Sequence, residues 1–111
     1  MLYVRDDGTI RLTRGDTARL EITIENSLDG TEYLMDPNDI LTFTIKKSVK
    51  DTEPLVKKES HGRNAFHIEP KDTSELTFRK YFYDVQLTRA NGDVYTVIVP
   101  TTFEIMKEVT Y

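Results

Sequence analysis

The feature that most constrains this chain is an alternation of apolar and polar residues that recurs along its length. Leu41, Phe43 and Ile45 alternate with threonine and lysine. The same period of two returns in three other segments, at residues 20–25, 81–88 and 103–105. Successive side chains of a β-strand point to opposite faces, so each segment offers one apolar face and one wet face. No window of helical length carries a comparable apolar stripe, and the pattern therefore predicts an all-β chain.

Turn-forming residues separate the alternating segments. Arg14-Gly15-Asp16 and residues 36–39 interrupt the alternation, and Asn91-Gly92 is typical of a tight hairpin joining residues 81–88 to 94–99. Pro100 donates no ladder hydrogen bond, so we expect it to end that strand before a last strand at 102–109. This spacing predicts about eight or nine short strands arranged as a two-sheet sandwich.

One segment departs from the period of two. Residues 68–76 contain a proline followed by Asp72, with Glu75 three residues later. This order resembles a capping box, in which Asp72 would cap a helical turn and Glu75 would reach back to it. The sequence predicts one short helical turn that bridges the two sheets.

The totals fit one small domain spanning residues 1–111. Apolar residues make up 38% of the chain, as expected where each strand gives only one face to a core. The net charge is −4, the opposite of the basic balance typical of nucleic-acid binding, so no nucleic-acid partner is expected. There is no cysteine, the N-terminus has no apolar signal-like region, and no apolar run approaches the roughly 20 residues that span a bilayer. We therefore expect no disulfide and no membrane partner.

The residues that carry chemistry do not form a recognisable catalytic or metal-binding group. His61 and His67 are the two histidines, and their even spacing would place them on one strand face without further ligands. The acidic stretch 29–39 offers oxygen ligands but lacks the spacing of a calcium loop. Outward carboxylates such as Asp84 and Glu104 lie on open strand faces rather than across a cleft. The sequence predicts no enzyme activity, no metal site and no cofactor.

Exposed aromatic residues are the remaining candidates for a functional surface. The alternation places Phe82, Tyr95 and Tyr111 on solvent faces. Such side chains can anchor a protein partner or stack on a sugar, and Phe82 can equally fill a second face covered by a neighbouring strand or subunit. We take Phe82, Tyr95 and Tyr111 as candidate interface residues.

A series of segments follows one another in a recognisable order: Arg14-Gly15-Asp16-Thr17, residues 39–48, 53–58, 70–73 with 81–87, 91–97, and 103–105. In this order they resemble the small immunoglobulin-like domains of phage and prophage virion proteins from Gram-positive bacteria, such as the N-terminal domain of the baseplate upper protein. The resemblance covers about residues 12–109 and departs from the family at Arg79, where a glycine is usual.

The resemblance implies an immunoglobulin-like sandwich and a structural role without chemistry. The chain would be a tail or baseplate component, made in the cytoplasm of the bacterial host and incorporated in the virion. Its partners would be other virion proteins, including further copies of itself. Tyr81 or Tyr83 would form the tyrosine corner that such sandwiches carry. The alternative is a carbohydrate-binding module that uses aromatic residues on a sheet face.

Overall fold

The structure, a computed structural model, describes residues 2–4, 8–25 and 29–107. This part of the chain contains eight strands and one short helix. The elements are β1 (Leu2–Val4), β2 (Ile10–Thr13), β3 (Ala18–Glu21), β4 (Ile40–Lys46), β5 (Val56–His61), β6 (Ala65–Ile68), α1 (Pro70–Thr73), β7 (Lys80–Thr88) and β8 (Val94–Met106). Within the described ranges, no helix is long and apolar enough to cross a membrane.

The strands form two sheets. Six pair in the order β1-β2-β8-β7-β4-β5, and β3 pairs with β6 in the second sheet. The β2–β8 pair is parallel, whereas the other strand pairs are antiparallel. The central order β8-β7-β4 beside a separate β3–β6 pair is the G-F-C and B-E arrangement of immunoglobulin-like sandwiches. The predicted all-β, two-sheet sandwich is confirmed.

The apolar faces of the alternating segments meet between the sheets. Phe43 is fully buried at the centre, with its ring centroid 5.5 Å from that of Phe66, 5.4 Å from that of Tyr83 and 6.1 Å from that of Phe103. Tilted and edge-on ring contacts at such distances add to the free energy gained by burying the rings. The predicted inward positions of β4, β7 and β8 are all buried.

Tyr81 forms the tyrosine corner. Its hydroxyl donates a hydrogen bond to the backbone carbonyl of Thr77, at 3.1 Å, just before β7 begins. Tyr83, the other candidate, donates instead to the carbonyl of Gly8. Both side chains are buried, so each hydroxyl meets an acceptor inside the fold and leaves no unsatisfied polar atom.

The prediction that Pro100 ends a strand is wrong. β8 continues through Pro100 to Met106, but its pairing with β7 slips by one residue on each side of Val85. These slips are β-bulges, which leave extra residues out of the hydrogen-bond ladder. β2 pairs with β8 only at residues 103–106, so Pro100 lies where that edge of β8 has no partner among the described residues. A missing N–H is tolerated at such a position.

The helical turn exists, but its cap differs from the prediction. Glu69 is the N-cap and Asp72 lies three residues later, where its carboxylate accepts the backbone N–H of Glu69 at 2.8 Å. Asp72 therefore takes the part that had been assigned to Glu75. The helix begins at Pro70, whose missing N–H costs nothing in the first turn.

Two turns show how local sequence sets the connections. The β7–β8 hairpin closes through Gly92, which has φ +93°, while Asn91 keeps a negative φ. The turn after β2 places Gly15 at φ +83°, and its N–H donates to the Thr73 hydroxyl at 3.0 Å. The Arg14-Gly15-Asp16 turn is thereby tied to the helix at the same end of the sandwich.

Candidate interaction surface

The outer face of the six-stranded sheet is uncovered by any other described element. Its side chains are the alternates of the buried positions on β2, β4, β5, β7 and β8. Threonines dominate its middle, because Thr42 and Thr44 of β4 lie beside Gln86 and Asp84 of β7. We call this surface the outer face; its main members are Ile40, Thr42, Thr44, Lys46, Lys57, Glu59, Phe82, Asp84, Gln86, Thr88, Val94, Thr96, Thr102 and Glu104.

Phe82 lies near the centre of the outer face. The strand register places it between Lys46 of β4 and Thr102 of β8. Its side chain is half-buried by these neighbours, and no described element packs over it. An aromatic ring flanked by a threonine and a lysine on an open sheet face matches the anatomy of a binding hot spot, where peripheral residues exclude water around a central anchor.

Tyr95 lies on the opposite face of the same sheet. It pairs directly with Leu87, whose side chain points into the core, so Tyr95 also points to that side. Its side chain stays 50% exposed because it lies beyond the shorter β3–β6 sheet. Phe82 and Tyr95 therefore do not form one aromatic platform. Tyr111, the third candidate, lies outside the described residues.

The outer face has two shallow depressions rather than a cleft. One, of about 410 Å³, lies over β4 and β5 and includes Thr42, Lys57 and Gln86. The other, of about 260 Å³, lies over the ends of β2, β7 and β8 around Arg11 and Glu104. No aromatic side chain lines either depression. Arg11 and Glu104 form an ion pair at 2.7 Å, which leaves that carboxylate neutralised by a strand neighbour.

The histidines do not come together. His61 lies on β5 in the six-stranded sheet, and His67 lies on β6 in the other sheet, so the expected shared face is wrong. Both are exposed. In the described part of the chain, no group of three or more acidic, cysteine or histidine side chains is arranged to hold a metal ion.

Asp39 is the polar residue whose role the sequence did not reveal. It is 1% exposed and lies where three loops meet at the hairpin end of the sandwich. One carboxylate oxygen accepts the Tyr33 hydroxyl at 2.5 Å and the Asp36 N–H at 3.0 Å, and the other accepts the Ala90 N–H at 3.2 Å. The backbone carbonyl of Asp39 also accepts the N–H of Gly62. An aspartate between a proline turn and an alternating strand was the available signal.

The electrostatics of this cluster follow from its hydrogen bonds. The Tyr33 hydroxyl, followed by the two backbone N–H groups, lowers the pKa of Asp39 despite its burial. The same hydrogen bond raises the pKa of Tyr33, since it stabilises the protonated phenol. Both carboxylate oxygens are already occupied by protein donors. Asp39 therefore holds neighbouring loops together through hydrogen bonds, rather than acting as a general base or a metal ligand.

The exposed edges of the six-stranded sheet differ in character. β5 carries Lys57, Lys58 and Glu59, and Lys58 points inward, opposite Phe43. Charged and inward-pointing edge residues discourage pairing with a foreign strand. The first half of β8 instead exposes Val94 and Val99. There the bulges and Pro100 limit regular strand pairing.

These features define a class: a two-sheet β-sandwich with an open face on its six-stranded sheet and, in its described residues, no cluster of acidic, cysteine or histidine side chains arranged to hold a metal ion. A scan against protein-family models finds no match, and a search of curated proteins finds no significantly similar sequence.

Proposed function

We propose that this chain is a non-enzymatic assembly protein of a phage or prophage particle, in its tail or baseplate. It would act by binding other virion proteins through the outer face. The support is of two kinds. The motif order resembles virion immunoglobulin-like domains, and the motifs fall on the turns and strands that such a sandwich requires.

The observation that carries the proposal is the outer face itself. Five of its strands span roughly 20 Å at the usual 4.8 Å spacing, and seven residues of β4 span about 23 Å. A flat area of these dimensions is about 460 Å², more than half of the roughly 800 Å² that each partner contributes to a specific interface. Short threonine side chains lose little conformational entropy when they are covered, compared with lysine or glutamate.

The mechanism would be burial of a preformed surface, with no chemical step. Phe82 would enter a pocket on the partner, and the surrounding threonines would pair with polar groups at the rim. Lys46, Lys57 and Asp84 would set orientation, because none of them has an ion-pair partner within the described residues. A sugar-binding platform finds no comparable support, since Phe82 and Tyr95 face opposite ways.

A matched pair of substitutions tests this proposal. In a phage lacking the gene, plasmid-borne Phe82→Glu should fail to restore infectious particles, because a carboxylate at the centre of an interface stays desolvated and unpaired. His67→Glu, on the exposed face of the other sheet, should restore them as wild type does. Both purified variants should unfold at the wild-type urea concentration. Full restoration by folded Phe82→Glu would contradict the use of the outer face.

A further inference from the structure

Charged loops of opposite sign lie at the two ends of the sandwich, with a group of carboxylates at one end and a turn of three lysines, followed by Asp51 and Glu53, at the other. β8 alone spans about 40 Å at 3.3 Å per residue, so the 48 Å long axis runs along the strands. The β7–β8 hairpin lies at one end, together with the loop that precedes β4. The helix and the loop that follows β4 lie at the other end. Loops from distant parts of the sequence therefore meet at each end.

The hairpin end is acidic. Its exposed carboxylates are those of Glu25, Asp29, Glu32, Asp36 and Asp93, and its basic residues are Arg63 and Arg89. None of these carboxylates forms an ion pair with a basic group among the described residues. Glu25 and Glu32 even face each other across an isolated bridge, which like charges disfavour. Leu34 lies among these residues and is 78% exposed.

The other end carries a lysine turn at residues 46–50. Lys46, Lys47 and Lys50 surround Val49, which is 53% exposed. The described residues provide no ion-pair partner for these three lysines. The nearby Asp51 carboxylate is occupied in part, because it accepts the backbone N–H of Ser48 and so closes the turn.

We propose that copies of this chain associate head to tail, with the acidic end of one molecule on the lysine turn of the next. Each end has an exposed apolar residue within a charged rim, and the two rims have opposite sign. This is the usual anatomy of a protein interface, with an apolar centre and a polar periphery. A second copy supplies the complementary charge without any other partner.

The contact joins two different surfaces, so it is heterologous and either closes into a ring or continues as an open series. It goes beyond the proposed function, because it uses the loop ends and shares only Lys46 with the outer face. It is also salt-dependent, since exposed charges interact over about 30 Å at 10 mM ionic strength but only about 3 Å at 1 M.

Two variants, each lacking one of the two charged surfaces, test the contact directly. Lys47→Gln with Lys50→Gln removes the basic surface, and Glu25→Gln with Glu32→Gln removes the acidic surface. Light scattering at about 10 mM ionic strength should show wild type above its monomer mass of 12.9 kDa, with mass increasing with concentration. Each variant alone should be monomeric. Their mixture should form a one-to-one dimer and nothing larger, because it restores a single head-to-tail contact.

Arg19→Glu is the matched control, since it lowers net charge by two, as the lysine variant does, at an exposed position on the β3–β6 sheet away from both ends and from the outer face. It should associate as wild type does, and thermal unfolding should show that all variants are folded. At about 1 M salt the wild-type association constant should fall at least roughly tenfold. A monomeric wild type at low salt, or a mixture that stays monomeric, would overturn the head-to-tail contact whether or not the outer face binds a partner.

Discussion

At the scale of single residues, Asp39 links connections that lie far apart in the sequence. Its carboxylate bonds the loop before β4 to the β7–β8 hairpin, and its carbonyl holds the turn after β5. Buried carboxylates cost free energy unless every oxygen is paired, and here each one is. The geometry of the hairpin end therefore depends on one side chain.

Replacing Asp39 by Asn should destabilise the fold by about 2 kcal/mol, because hydrogen bonds to a charged group contribute roughly 1.5–3 kcal/mol. The amide keeps the volume but loses the charge and one acceptor. Urea unfolding at pH 7 measures the loss. Asp84→Asn is the control, since Asp84 makes no side-chain hydrogen bond in the described structure, and it should change stability by less than about 0.5 kcal/mol.

The same variant has a signature in pH. The folded-state pKa of Asp39 is lowered, so its contribution to stability is complete above the ordinary carboxyl value of about 3.9 and disappears as the pH falls through the lower folded-state pKa. Wild type should therefore lose stability between pH 5 and pH 2 more steeply than Asp39→Asn. Equal pH slopes for the two proteins would show that Asp39 is not held as a carboxylate.

At the scale of elements, α1 joins the two sheets through an ion pair. Lys58 of β5 contacts Asp72 of α1 at 2.7 Å, and their side chains are only 24% and 12% exposed. Burial alone would raise the pKa of Asp72, but the Lys58 ammonium and the Glu69 N–H outweigh it, and the pKa is lowered. Lys58 thus has two roles. As an inward-pointing charge on β5 it discourages pairing of that edge with a foreign strand, and through its ion pair it connects β5 to α1.

Lys58→Met should cost about 2 kcal/mol, because it leaves the half-enclosed Asp72 carboxylate without its cation. Denaturant unfolding measures this change, with the outward and exposed Lys57→Met as the control. In a double-mutant cycle with Asp72→Asn, the combined loss should be smaller than the sum of the single losses. Strict additivity of the two substitutions would show that the ion pair contributes nothing.

Elements were predictable from sequence where packing and local pattern agree. β7 lies within one residue of the predicted segment 81–88, and β4 contains the predicted alternation of Leu41, Phe43 and Ile45, because both keep a period of two from turn to turn. The length of β8 was not predictable, since a proline normally ends a strand that is paired on both edges. Only the structure shows that β2 pairs with β8 at residues 103–106 and leaves Pro100 outside that pairing. β3 ends at Glu21, although the alternating burial continues through Ile24.

At the scale of the whole molecule, the face on which a side chain lies depends on the register and order of strands that are distant in the sequence, and the sequence alone does not reveal these. The alternation placed Phe82 on a solvent face, but the pairing of Tyr95 with inward-pointing Leu87 puts Tyr95 on the other face of the sheet. The acidic stretch 29–39 and the lysines at 46–50 are visible in the sequence, but their placement at opposite ends of the sandwich follows only from the order of the strands. Local periodicity thus defines the layers, whereas the candidate surfaces depend on which strands are neighbours.

The proposed role of this chain as a structural part of a phage particle can be tested directly. The most direct measurement is quantitative mass spectrometry of particles from the encoding phage or prophage, purified through a density gradient and washed in high salt. The account predicts the chain in the particle fraction at a fixed ratio to other tail proteins. Its absence from intact particles, with abundant chain left in the same lysate, would contradict a structural role in the virion.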